Sequence, residues 1–156
     1  MKVRPFRKDD APALAQIFYS AIHEVARAHY DEAQVNAWAP AVPSEERFVA
    51  RATDGRTLLV AVDDRDVPIA YGDLEADGHI DHLFCRPEFA GQGVALAIYE
   101  ELEKAAASQG IDRLYVEASE PASRFFRKRG FKVGERNDFE LNGVPIHNYR
   151  MAKRLG

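Results

Sequence analysis

The chain has 156 residues, 46% of them hydrophobic and 29% charged, which suits one soluble globular domain with a sizeable core and excludes a disordered segment. A formal net charge of −4 and an isoelectric point near 5.7 argue against a dedicated nucleic-acid binder, which carries a basic excess. The single cysteine, Cys85, excludes an internal disulfide and a cysteine zinc cage, the charged start MKVRPFRKDD is unlike a signal peptide, and no stretch suits a membrane span, so a cytoplasmic protein is expected.

Taken in order, Lys2 to Phe6 reads as a short strand and Arg7 to Asp10 as a polar turn whose Asp9 or Asp10 caps a helix. From Ala11 to His29, the residues Leu14, Phe18, Ala21, Ile22 and Val25 recur at the spacing of an amphipathic helix, which also carries Tyr19 and His23. Asp31 caps a short helix, Glu32 to Ala37, stopped by Trp38-Ala39-Pro40, and Ser44 opens a third that ends at Asp54-Gly55. Thr57 to Val62 and Val67 to Glu75 form an antiparallel hairpin, with Gly72 marking a bulge. Ile80 to Cys85 is the next strand, broken by Arg86-Pro87.

A small-residue turn follows, Ala90-Gly91-Gln92-Gly93-Val94-Ala95, and runs directly into a helix whose Val94, Ile98, Leu102 and Ala105 share a face. A strand, a glycine turn and a helix N-terminus make a nest of backbone N–H groups suited to phosphate. Gly110 ends the helix, and Arg113 to Ala118 is a strand that a right-handed crossover lays parallel to its predecessor. Ser119 caps another helix, with Pro121 in its first turn and Gly130 at its end. Phe131 to Leu141 and Val144 to Leu155 form a last hairpin about Asn142-Gly143, a type I′ turn signal. The expected architecture is α+β, a mixed and mostly antiparallel sheet with one central βαβ crossover and helices on both faces. It forms a single domain over residues 1–156.

This order and these motifs resemble the GCN5-related N-acetyltransferase superfamily along essentially the whole chain. The glycine turn resembles the family's Gln/Arg-x-x-Gly-x-Gly/Ala segment, and SEPASRFFRKRGF, from Ser119 to Phe131, resembles its N-x-x-A-x-x-F-Y-x-K-x-G-F signature. The run Ala21-Ile22-His23, Tyr30 and Ala37-Trp38-Ala39-Pro40 is similar to a bacterial branch of mostly uncharacterised small-molecule acetyltransferases. The resemblance implies acetyl-CoA as cosubstrate, its pyrophosphate wrapped by Ala90, Gly91, Gln92, Gly93, Val94 and Ala95. It implies that backbone groups of Leu83, Phe84 and Cys85 bind the pantetheine arm and polarise the thioester carbonyl, and that Ser119, Ser123 and Phe126 contact the cofactor from the second helix. Two positions depart from the family: Ala90 replaces Gln or Arg, and Phe126 replaces the tyrosine that often reprotonates the leaving thiolate, for which it has no proton.

Acetyl transfer to an amine needs a held thioester, a deprotonated amine, oxyanion stabilisation and a proton for the thiolate. His79 and Asp81, two apart on a strand, project from one face, and both are candidate bases; Glu117 is a lesser one. The opposing reading pairs Asp81 with an arginine and leaves His79 at the surface. His82 faces the other way, under a helix, and Tyr149 or His147 are open as sources of the missing proton. Tyr19, His23 and Trp38 are the candidate acceptor pocket. The histidines show no metal-ligand spacing with carboxylates, so no metal is expected. The expected activity is direct transfer of acetyl to the primary amine of a small molecule, with no nucleic-acid or membrane partner. A protein lysine or N-terminal acetyltransferase and a catalytically weak acyl-CoA sensor remain open, as does a homodimer by analogy with the family.

Overall fold

The computed structural model describes residues 1–156. Two sheets carry the fold. The first has the spatial order β1 (Lys2–Pro5), β2 (Thr57–Val62), β3 (Pro68–Leu74) and β4 (Leu83–Cys85), with every neighbouring pair antiparallel. The second has β5 (Arg113–Ala118), then β7 (Val144–Arg154), then β6 (Lys132–Leu141), again antiparallel. The helices are α1 (Ala11–Ser20), α2 (Glu32–Trp38), α3 (Glu45–Ala52), α4 (Val94–Ser108) and α5 (Glu120–Lys128). None is long and apolar enough to cross a membrane.

The continuous apolar run TLLVAV makes sense because β2 is covered on both faces. Leu58, Val60 and Val62 alternate toward a core shared with α1 and α3, through Leu14, Ile17 and Phe48. Ala61, on the opposite face, joins Ile98, Leu102 and Ala106 of α4. Gly72 sits in regular register opposite Leu59, and the bulge lies instead between Ala61 and Val62. A Cβ at Gly72 would stand 2.9 Å from Ile98 Cγ2, so the glycine admits close approach of α4 rather than bending the strand.

Two predicted elements are shorter than their patterns. The helix expected from Ala11 to His29 is α-helical only to Ser20, widens into a π turn over Ala21–Val25 and closes as a 3-10 turn over Ala26–Ala28. The strand expected from Ile80 pairs with β3 only from Leu83. The buried Asp73 carboxylate accounts for this: its Oδ1 accepts the N–H groups of Asp81 at 3.0 Å and His82 at 2.8 Å, so a side chain takes bonds that a strand would give to a ladder.

The parallel pairing expected of β5 survives at one point. His79 and Tyr115 form an isolated parallel bridge, with Ile80 N–H donating to Tyr115 O and Tyr115 N–H donating to Gly78 O, both at 3.0 Å. Beyond it β4 and β5 belong to different sheets and diverge. That divergence opens a cavity lined by residues of both core clusters.

Candidate active site

Backbone polarity in the cleft follows from strand alternation. Asp73 N–H donates to His82 O at 3.0 Å and Arg86 N–H donates to Ile69 O at 2.8 Å, so the even-numbered residues of this segment spend their backbone groups on β3. The N–H and C=O groups of Leu83 and Cys85 therefore face the open side, toward β5. Phe84, expected to offer backbone groups, is committed to the ladder opposite Tyr71 and contributes its ring instead.

The glycine turn borders the same cavity. Ala90 and Ala95 line it. Gly91 and Gly93 hold φ of +76° and +82°, and an added Cβ at either meets nothing within 4 Å, so backbone conformation rather than crowding asks for glycine. Helix α4 starts at Val94 on Gly93 with no side-chain cap. Its first intrahelical bond is Ala97 N–H to Gly93 O at 3.1 Å, which leaves the amides of Val94, Ala95 and Leu96 without a partner in the helix. Free amides at the positive end of a fifteen-residue helix fit a pyrophosphate. The Gln92 side chain folds back, Nε2 donating to Glu88 O at 2.9 Å, and the Val94 side chain is buried in the core.

The cavity encloses about 520 Å³, space of the size that small-molecule sites use. Where β4 and β5 part, it is lined by His79, Asp81 and Glu117. Asp81 Oδ2 accepts from Arg51 Nη2 at 2.7 Å and lies 3.4 Å from Arg56 Nη1. Burial works to raise its pKa, but neighbouring positive charge outweighs this and holds the carboxyl below its usual range. A carboxylate so committed is a weak base.

His79 is clamped at both ring nitrogens: Nδ1 lies 2.7 Å from Glu75 Oε1 and Nε2 lies 2.8 Å from Glu117 Oε2, with the ring stacked on Tyr115. Burial works to lower its pKa, yet the two carboxylates win and the shift is upward. Each ring nitrogen faces a carboxylate, an arrangement that favours the protonated ring over a free base. His79 and Asp81 both reach the cavity, although residues 80–82 between the His79 bridge and β4 are not strand.

His82 lies under α1, stacked on Phe18 at 5.3 Å, with Tyr71 Oη 2.9 Å from its Nδ1. Burial depresses its pKa to about 4, so it is neutral. Burial likewise pushes the Cys85 thiol up to about 11, which makes it no nucleophile. Phe126 is buried among Tyr99, Phe125 and Phe131 with one side on the cavity.

Three expected contacts are displaced. Tyr19 stacks on His23 at 4.0 Å, and His23 Nε2 donates to Ala39 O at 2.6 Å. The pair ties the π turn to the loop after α2 and stands outside the cavity lining, while Trp38 lines it between Tyr30 and Phe84. Ser123 is buried and donates to Glu120 O at 2.8 Å within its own helix, whereas Ser119, the α5 cap, reaches the cavity.

Tyr30 takes a place that sequence reasoning did not see. Its hydroxyl accepts Glu120 N–H at 2.8 Å, at the start of α5, and its nearest acceptor is His147 O at 3.3 Å. His147 Nε2 and Tyr149 Oη both donate to Glu120 Oε1, at 2.8 and 2.7 Å, and of these two only His147 lines the cavity.

The family described as acetyltransferase (GNAT) domain matches residues 26–153. The chain is 27% identical over 151 residues to the uncharacterized N-acetyltransferase YafP of Escherichia coli K12, covering 97% of this chain and 94% of that protein. It is 34% identical over 100 residues to the peptidyl-lysine N-acetyltransferase YjaB of Salmonella typhimurium, covering 64% of this chain and 67% of YjaB. A GCN5-related N-acetyltransferase structure from Rhodopseudomonas palustris, also named aminotransferase class II, superposes with a TM-score of 0.91 at 36% identity, covering 99% of this chain and 95% of that one. The PaiA N-acetyltransferase of Thermoplasma acidophilum, solved with coenzyme A, shares the fold at a TM-score of 0.80 and 18% identity, covering 99% and 98%. With the diverging strands and the glycine turn matched by a family assignment over most of its length, the chain belongs to the GNAT acetyltransferase family.

Proposed function

We propose that the protein transfers acetyl from acetyl-CoA directly to the primary amine of a small molecule. One observation carries this reading: the outward backbone of Leu83 and Cys85 and the free amides at the start of α4 border one cavity. Two neighbours of the same fold were solved with coenzyme A or acetyl-CoA, which supports the choice of cosubstrate.

The cosubstrate supplies an activated acetyl thioester. Amides of the glycine turn and of α4 hold its pyrophosphate, Ala95 and Ser119 flank its arm, and the Leu83 or Cys85 N–H donates to the carbonyl oxygen as charge develops there. Glu117, whose partner His79 is titratable where the arginines on Asp81 are not, accepts the proton that the attacking amine gives up. His79, bridged to Glu75, orients Glu117, and the ion-paired Asp81 draws the substrate ammonium toward the site. As the C–N bond forms and the C–S bond breaks, the Tyr30 hydroxyl, whose only internal acceptor is a long bond to a carbonyl, protonates the thiolate. That assignment answers the absence of a hydroxyl at Phe126.

YjaB, a relative named for peptidyl-lysine, supports a second reading in which the acceptor is a protein lysine. Thiol release from acetyl-CoA, followed with a panel of small amines and with lysine peptides, separates the two. Tight acetyl-CoA binding without release in either panel would instead favour a sensor.

A further inference from the structure

The acceptor half of the cavity is built from two contrasting surfaces. Phe18, Ile22, Trp38, Phe84, Phe139 and Ile146 form an apolar wall, with Phe18 and Trp38 packed edge-on against Phe84 at 5.2 and 6.3 Å. The same cavity is lined by the carboxylate residues Asp81 and Glu117. No arginine or lysine lines the space. The nearby guanidiniums are spent: Arg51 on Asp73 and Asp81, Arg56 on Asp54 and Asp73, and Arg150 on Glu135 and Asn137. Of the lining amides, Asn137 Nδ2 donates to Asn148 Oδ1 at 3.0 Å and Asn137 Oδ1 accepts from Arg150 Nη2 at 3.0 Å.

We infer that the acceptor is a primary amine on an apolar, carboxylate-free body, aromatic or branched alkyl, and that free amino acids are excluded. The inference rests on the acetyltransferase reading above and narrows its substrate. An ammonium is attracted to Asp81 and Glu117 while its body displaces water from the aromatic wall. A substrate carboxylate would be buried beside two like charges, while the nearby cations are already held by Glu75, Glu117 and Asp81, which is unfavourable. A peptide backbone N–H would find the acceptors Asn137 Oδ1 and Asn148 Oδ1 each already engaged.

The test compares kcat/KM at saturating acetyl-CoA for 2-phenylethylamine, for phenylalanine, which has the same body with a carboxylate, and for a short lysine peptide. Calorimetry of acetyl-CoA binding runs alongside. The amine should exceed phenylalanine by at least about 100-fold and should also exceed the peptide. Trp38→Ala should lower kcat/KM for the amine about 10-fold or more with acetyl-CoA affinity unchanged. Leu141→Arg, which places a cation on the lining, should narrow the gap between amine and amino acid. Faster turnover of phenylalanine or of the peptide would overturn this inference and leave the acetyltransferase reading standing. Bound acetyl-CoA with thiol release from none of them would sink both.

Discussion

Two histidines three residues apart show how environment decides chemistry at the scale of one side chain. His82 is enclosed against Phe18 and Tyr71, and its pKa falls to about 4. Its unfolded form binds a proton below about pH 6.5 that the folded form refuses, so its contribution to stability is present at neutral pH and lost as pH falls. That loss amounts to about 2 kcal/mol between pH 8 and pH 5. His79 has the opposite sign. Its folded pKa is raised, so its contribution is complete below the unfolded value and fades as pH rises through the folded one. Urea unfolding from pH 5 to 8 should show His82→Asn flattening the acid side of the stability profile and His79→Gln removing the decline on the alkaline side. Parallel profiles for wild type and both variants would contradict these environments.

The same scale holds the proton path. Glu117→Gln should lower kcat about 100-fold with acetyl-CoA affinity unchanged, within the range of a lost general base. Unchanged kcat would clear Glu117. Tyr30→Phe should lower kcat about tenfold or more and leave the fold intact, since it removes one hydroxyl and one part-buried bond, to the Glu120 N–H at the start of α5. If thiol release in Tyr30→Phe matched wild type across pH, the proton would come from elsewhere.

At the scale of elements, the glycine turn and α4 form the unit that binds phosphate. Gly93→Arg forces a side chain onto φ of +82°, a strain of about 1–2 kcal/mol, yet the position is sterically open. The variant should therefore fold with a modestly lower Tm and lose acetyl-CoA binding by calorimetry; retained binding would place the pyrophosphate elsewhere. This unit was readable from residues because its parts are contiguous: Gly91, Gly93 and the apolar stripe of α4 lie within one short run. The Asn142-Gly143 turn was readable for the same reason, both residues adopting positive φ. Segment 79–82 was not, because a buried carboxylate from β3, Asp73, holds it out of the ladder. Tyr30 was seen only as part of a family run, since its partner lies 90 positions away in sequence and no local spacing reports it.

Across the whole molecule, the cavity exists because two sheets share a single parallel bridge and then part. The N-terminal helices and the last hairpin supply an aromatic side, and the glycine-turn helix and α5 supply the other. Chain order foretold a mostly antiparallel α+β fold with one crossover, but as a single mixed sheet rather than two antiparallel ones; that split, the pairing of Tyr19 with His23 away from the cavity and that of Asp81 with Arg51 depended on tertiary approach. The central claim is that both sides serve one reaction. Its most direct test is release of free thiol from acetyl-CoA by the wild-type chain as a small apolar amine is titrated in. Release should rise with amine and saturate, with acetylated amine formed in equal amount; acetyl-CoA that binds but stays intact at every amine concentration would contradict the account.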